Sequence, residues 1–421
     1  MLLSRALPAS SVEPSGNAPV PDSFPTPSQL RFPKGFLWGT ATSSHQIEGN
    51  NTANDWWRTE QEGRVPYKSG AACDSYNRYE EDFDIAASFN NNAARFSLEW
   101  SRIEPREGEF SREATEHYRK MIRAAKERGL EPFVTILHFT LPQWVAEKGG
   151  WNSRKTINFF ERYTRYVAEE LGEEAQFWFT INEPNVVSLM GYSLGIFPPH
   201  QKSILGFVRS MYLQRAAHKR AYRAFKDLRP DAHVGVVYAM TYFVAYQDRM
   251  LSRIAKGLTD HFANKWFLNG SRKEQDFMAV NYYFGVLLHV RWSAPWKWHI
   301  KDTSRLRTDF DWEIWPEGIY HIVNIAKRYK KPIYITENGI ADADDDQRPS
   351  FIRDHLEWLH KAIADGADVR GYFHWSLLDN FEWGEGYTKR FGLVEVDFDT
   401  FKRTPRRSYL EYKRICERNG L

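Results

Sequence analysis

Short runs of β-branched, aliphatic and aromatic residues recur along this chain, separated by longer stretches whose apolar positions repeat with a helical period. The runs predict strands over Phe36–Thr42, Ala93–Leu98, Pro132–His138, Gln176–Asn182, His233–Met240, Asp276–Tyr282, Pro332–Thr336 and Arg370–Trp375. Helices are expected between and after them, over Ser75–Phe89, Glu113–Arg128, Ser153–Leu171, Ile204–Leu228, Ser252–Leu268, Pro316–Tyr329, Ser350–Asp365 and Pro405–Arg418. Gly129 and Gly172 stand where two of these helices should stop, and Ser153 where one should be capped. Pro316 and Pro405 suit first helical turns, where a missing N–H costs nothing.

Strands that alternate with helices imply a parallel sheet with right-handed crossovers. Eight such units favour closure into an α/β fold of the (β/α)8 TIM-barrel type, read as a single domain over residues 31–421. An open doubly wound sheet would carry a glycine-rich phosphate turn after an early strand, whereas Ser43, Ser44, His45, Gln46 and Glu48 follow the first strand here. Residues 1–30 are rich in Pro and Ser and are expected to form a flexible N-terminal tail. The connection from the fifth strand to the sixth is shortened: after Trp266, Phe267 and Leu268, residues 269–275 lead almost directly to Asp276.

The formal net charge of +3, without a long Lys/Arg run, suggests neither a nucleic-acid nor an acidic-membrane partner. No apolar run reaches membrane-spanning length, and the N-terminal residues lack a signal-peptide core, so a cytoplasmic location is expected. The only two cysteines, Cys73 and Cys416, make no zinc-like or CxxC spacing, which fits a reducing compartment. The 16 Trp, 21 Tyr and 28 Phe fit a carbohydrate site, because sugars lay their C–H faces on aromatic rings.

The residues with chemistry to offer lie at the carboxyl ends of the predicted strands, the end that builds the active site in this fold. The fourth strand runs into Asn182, Glu183 and Pro184, and the seventh into Glu337, Asn338 and Gly339. Pro184 is expected to hold Glu183 in an extended conformation, and Gly339 to allow a sharp turn after Glu337. Strands four and seven stand on different sides of an eight-stranded barrel, so the two carboxylates should face each other across its mouth. Such a pair suits glycoside hydrolysis, with one carboxyl protonated to assist the leaving oxygen and the other ionised. Arg95, set between Ala94 and Phe96, needs a carboxylate partner if buried. His138 and Trp375 close the third and eighth strands, and Glu382 and Trp383 put a carboxylate beside an indole.

With those residues in hand, the chain resembles glycoside hydrolase family 1, the β-glucosidase family. The matching segments are FLWGTATSSHQIEG (36–49), ARFSLEWSRI (94–103), VTILHFTLPQW (134–144), FTINEPN (179–185), DFMAVNYY (276–283), WEIWPEGIY (312–320), YITENG (334–339), WSLLDNFEWGEGY (375–387) and RFGLVEVDFDTFKRTPRRS (390–408). The resemblance implies retaining hydrolysis of terminal β-glycosidic bonds, in a small-molecule β-glycoside or oligosaccharide, without metal or cofactor. It makes Glu337 the nucleophile and Glu183 the acid/base. It sets Arg95, Asn281 and Tyr283 in support of them, and Gln46, His138, Asn182, Trp375, Glu382 and Trp383 around the non-reducing sugar. Relatives that cleave 6-phosphorylated sugars replace the neighbourhood of Glu382 with hydroxyl and Lys groups, so unphosphorylated substrates are expected here.

Two features depart from the family pattern. Phe139 stands where Trp is usual, and the short fifth-to-sixth connection suggests a barrel wall that is thinner, more open and mobile on the leaving-group side. A sugar-binding barrel without turnover is the rival reading, and a transglycosylase would use the same intermediate. A barrel aldolase or isomerase would require a Schiff-base Lys or a phosphate site, and neither stands out.

Overall fold

In the computed structural model the described residues are 30–248, 250–289 and 299–421. The tail expected over residues 1–30 therefore lies outside the described residues, except for Leu30, which is buried and accepts a hydrogen bond from the Leu421 amide at 2.9 Å. The barrel strands are β1 Leu37–Ala41, β2 Ala93–Ser97, β3 Glu131–Leu137 and β4 Phe177–Asn182. They continue as β5 His233–Ala239, β6 Met278–Asn281, β7 Ile333–Asn338 and β8 Val369–Trp375. Each pairs in parallel with its neighbours in sequence, and β8 returns to β1, which closes a (β/α)8 TIM barrel.

Helices follow in order: α1 Ser75–Ser88, α2 Arg112–Glu127, α3 Lys155–Glu170 and α4 Ile204–Leu228. The second half adds α5 Met250–Asp260, α6 Glu317–Lys327, α7 Arg348–Ala364 and α8 Arg407–Arg418. Both faces of most strands are buried, because one face points into the barrel and the other under a helix. Phe133, Phe179, Phe277, Tyr334 and Phe373 belong to the cluster that fills the interior. Gly39 on β1 makes room for this stack, since a Cβ there would sit 2.5 Å from the Phe373 ring.

Several local expectations are corrected. Pro405 does not start a helix; it ends the strand Arg403–Pro405, which pairs antiparallel with Val394–Val396, and α8 begins two residues later. Ser153 is not the cap of α3, whose first turn follows Arg154 without a side-chain cap. The wall between strands five and six is closed, with Val237, Tyr238 and Ala239 in register with Ala279, Val280 and Asn281. The short 269–276 segment is tied to α4, where Arg223 donates to Glu274 at 2.6 Å and Tyr222 to Asp276 at 2.7 Å. Beyond the barrel, Tyr242–Ala245, Gly285–Leu288 and His299–Ile300 form a small three-stranded sheet that period-2 reading had missed.

Two register irregularities position the chemistry. One lies between Phe179 and Asn182 on β4, the other between Ile335 and Glu337 on β7. A strict two-residue alternation from the inward Tyr334 would turn Thr336 into the barrel and Glu337 out of it. The shift re-aims Glu337 inward, as bulges near functional sites commonly do.

Candidate active site

Glu337 meets two donors at the mouth of the barrel. Arg95, from β2, forms an ion pair with Glu337 Oε1, and the Tyr283 hydroxyl donates to Oε2 at 2.6 Å. Arg95 also donates to the Thr336 carbonyl at 3.1 Å and to Asn182 Oδ1 at 2.6 Å, so its buried guanidinium ties β2, β4 and β7 together. A buried guanidinium is costly unless paired, and here the pairing also fixes the carboxylate. Burial and the neighbouring Glu337 charge push the Tyr283 phenol well above its ordinary range, so it remains a donor.

Glu183 stands at the end of β4, immediately before the short helix Pro184–Val187. It is not extended: its φ of 45° and ψ of 59° place it in the left-handed region. Pro184 excludes the right-handed helical region for its predecessor, and the chain meets that restriction here by the left-handed alternative. Asn281 Nδ2 donates to Glu183 Oε1 at 2.7 Å, and Thr336 donates to Asn281 Oδ1 at 2.8 Å, which fixes the orientation of the amide. Burial and then the Glu337 charge raise the Glu183 carboxyl to about 8, against opposing effects of Asn281 and Arg95. One carboxyl is thus held protonated near neutrality beside another that is ion-paired.

The remaining predicted residues surround this pair. Gln46 donates to Glu382 at 3.1 Å and to Asn380 Oδ1 at 2.8 Å, while its own carbonyl accepts from Ser43 at 2.7 Å. Glu382 is raised to about 8 by burial and by the Glu337 charge, so three carboxyl groups share one electrostatic environment. His138 faces Asn182 Nδ2 through Nε2 at 3.2 Å, and burial keeps its ring neutral. That ring lies nearly parallel to the indoles of Trp375 and Trp383, at 6.0 and 6.4 Å between centroids. Gly339 is required for close approach rather than for an unusual turn: a Cβ there would lie 1.7 Å from the Trp375 carbonyl oxygen. Phe139 packs 5.0 Å from Trp383 and 5.9 Å from Phe197.

Sequence reasoning missed the contribution of Thr336, which acts through Asn281, and of Trp312, which packs against Tyr283 at 5.9 Å. Thr336 lies in the quoted YITENG segment, but only the register shift explains its contact. Trp312 opens another quoted segment, and nothing in the sequence pairs it with Tyr283. His45, among the residues that follow the first strand, stacks on Trp383 at 5.8 Å and contacts Glu60 at 3.0 Å. Among the described residues no group of three or more His, Cys, Asp or Glu side chains could hold a metal ion, and both cysteines are free and buried. No helix among them is long and apolar enough to cross a membrane.

The sequence model of the family described as Glycosyl hydrolase family 1 matches residues 28–277 and 271–421. A β-glycosidase from Pyrococcus horikoshii has a similar structure, with 40% identity, a TM-score of 0.88, and coverage of 93% of this chain and 96% of that one. Beta-glucosidase A of Thermotoga maritima is 35% identical over 440 residues, 93% of this chain and 99% of the relative. A 6-phospho-beta-galactosidase of Staphylococcus haemolyticus is 32% identical over 463 residues, 92% of this chain and 98% of the relative.

Proposed function

The chain belongs to glycosyl hydrolase family 1 and is a glycoside hydrolase, and from that premise we propose that it hydrolyses terminal, unphosphorylated β-D-glycosyl residues, glucosyl above all, with retention of configuration. One observation carries this reading. Glu337 is ion-paired with Arg95, while Glu183 is desolvated beside it and raised to about 8. A carboxyl kept protonated by burial, beside one gripped by a guanidinium, is the equipment of an acid and a nucleophile.

In the first half of the reaction Glu337 attacks the anomeric carbon and Glu183 gives its proton to the departing oxygen. Glu337 is then a neutral ester, the repulsion that helped keep Glu183 protonated is gone, and Glu183 takes a proton from water as it attacks. Gln46, His138, Asn182, Glu382 and Trp383 would hold the sugar hydroxyls, with Trp375 beneath its ring. Glu382 also bears on the choice between the two substrate classes named among relatives: its carboxyl can share hydrogen bonds with neutral hydroxyls, and it offers a phosphate no cationic partner.

The test uses 2,4-dinitrophenyl β-glucoside, whose leaving group needs no acid, with added azide. The Glu183→Ala protein should accumulate the glycosyl-enzyme and release β-glucosyl azide. The Glu337→Ala protein should release only α-glucosyl azide, because azide then takes the place of the nucleophile. Azide products of one configuration from both variants would refute the assignment of roles. Faster turnover of a 6-phosphoglucoside than of its plain counterpart would refute the substrate class.

A further inference from the structure

The outer face of α5 is inverted with respect to an ordinary surface helix. Met250, Ile254, Leu258 and, two residues past the helix end, Phe262 recur every four residues, and each is more than half exposed. The opposite side of this segment supplies Ala263 to the small cluster of Phe243, Val286 and Leu288. The amino-terminal half of α4 repeats the pattern with Ile204, Leu205, Val208 and Tyr212, of which Ile204 and Leu205 are 78% and 83% exposed. Isolated exposed apolar residues are ordinary, whereas two complete stripes are not.

The stripes stand on successive helices of the barrel. The Arg215 guanidinium of α4 lies 3.9 Å over the Trp266 ring and donates to the Trp266 carbonyl, and Lys219 donates to the Gly270 carbonyl at 3.3 Å. Both contacts join residues 51 apart, so the two segments run parallel. Both stripes precede these contacts in the chain, with Val208 and Tyr212 on α4 and Leu258 and Phe262 on the segment that leads to Trp266. Both stripes therefore begin at the end of the barrel where β4 and β5 deliver Glu183 and Ala239, the end that carries the catalytic pocket.

The sequence around both stripes is basic, and the acids that meet it come from elsewhere, with Lys219 and Arg223 on Glu274, Arg220 on Glu161 and Lys226 on Asp276 farther along α4. No Asp or Glu occurs between Glu183 and Asp227, a stretch with seven Lys and Arg residues; residues 250–273 carry five against the single Asp260. Asp260 is itself paired with Lys265. Lys202, Arg209 and Arg253 are exposed along the stripes. The near-neutral total, which suggested no anionic membrane partner, does not reveal that Lys202 and Arg209 stand exposed beside an apolar stripe. A second copy of the chain fits the face poorly, because a two-fold contact would set basic rim against basic rim.

We propose that the apolar stripes of α4 and α5, with Lys202 and Arg209 beside them, form a docking surface for an anionic lipid bilayer that holds the mouth of the barrel at the membrane. Apolar side chains entering the headgroup boundary and Lys/Arg meeting lipid phosphates are the two components of interfacial binding.

The full chain should co-sediment with phosphatidylcholine vesicles containing phosphatidylglycerol, and far less with phosphatidylcholine alone or in high salt. Leu205→Ser combined with Leu258→Ser should lower the partition coefficient at least ten-fold. Lys202→Gln combined with Arg209→Gln should lower it roughly thirty-fold, at about five-fold per basic residue. Both double variants should hydrolyse a soluble aryl β-glucoside at the parental rate. Absence of binding to the anionic vesicles, or binding that survives both double variants, would overturn the proposal. So would a concentration-dependent dimer that Leu205→Ser with Leu258→Ser dissolves, since a second copy would then cover the face.

Discussion

Conversion of Glu337 to an ester should loosen the proton on Glu183, and the size of the effect can be worked out beforehand. In the free enzyme Glu183 is raised to about 8 by burial first and by the Glu337 charge second. Carboxyl groups of a retaining pair stand about 5.5 Å apart. Two unit charges at that distance, with an effective dielectric constant near 20, interact by about 3 kcal/mol. That corresponds to about two pH units. Trapping Glu337 with a 2-deoxy-2-fluoroglucosyl group removes the charge and leaves the burial.

The Glu183 carboxyl should then titrate near 6, between its free-enzyme value and that of an ordinary glutamate. The assay is the pH titration of carboxyl ¹³C signals in labelled enzyme, free and trapped, with Glu183→Gln to assign the resonance. Glu382, also raised to about 8, is separated by the Glu382→Gln protein. A Glu183 value that stays near 8 after trapping would show that the Glu337 charge does not reach it, and the acid-to-base switch would fail. A fall to the ordinary value would show that burial contributes nothing. In turnover, the acid must be protonated, so kcat/KM should decline as pH rises through about 8.

Three further predictions follow from single contacts. Tyr283→Phe removes the 2.6 Å donor to Glu337 and should lower kcat/KM by roughly 10- to 100-fold, as befits a hydrogen bond to a charged group; an unchanged value would deny Tyr283 its role as an anchor. Gly339→Ala forces a Cβ to within 1.7 Å of the Trp375 carbonyl and should sharply lower the thermal midpoint and the soluble yield; a parental midpoint by calorimetry would contradict the close approach. Glu382→Gln should be stabilising in a pH-dependent way. The folded carboxyl titrates at about 8, above its unfolded value near 4.3, so the parent loses stability as pH rises between the two, while the amide does not. The variant's advantage in thermal midpoint should grow from pH ~5 to ~8 and then level off, and a gap independent of pH would contradict it.

The barrel was legible because its strands are short, apolar on both faces and evenly punctuated by amphipathic helices. The carboxylates were legible because Glu183 and Glu337 sit at strand ends beside Asn182, Pro184 and Asn338. What escaped depended on tertiary geometry. Period-2 reading could not foresee the register shift that turns Glu337 toward Arg95, nor that Pro184 would leave Glu183 left-handed rather than extended. Gly339 looked like a turn residue, while the constraint is a carbonyl oxygen from a strand 36 residues later. The same apolar period that announced α4 could not say that Ile204 and Leu205 face outward, because period reports a face and not what covers it.

The central claim is a covalent intermediate on Glu337, and the anomeric form of the first sugar released tests it most directly. Proton NMR during the earliest part of hydrolysis of an aryl β-glucoside, before mutarotation, should show β-glucose appearing first and α-glucose growing in only later. Initial release of α-glucose would mean a single inverting displacement by water, and Glu337 would then be a base and not a nucleophile.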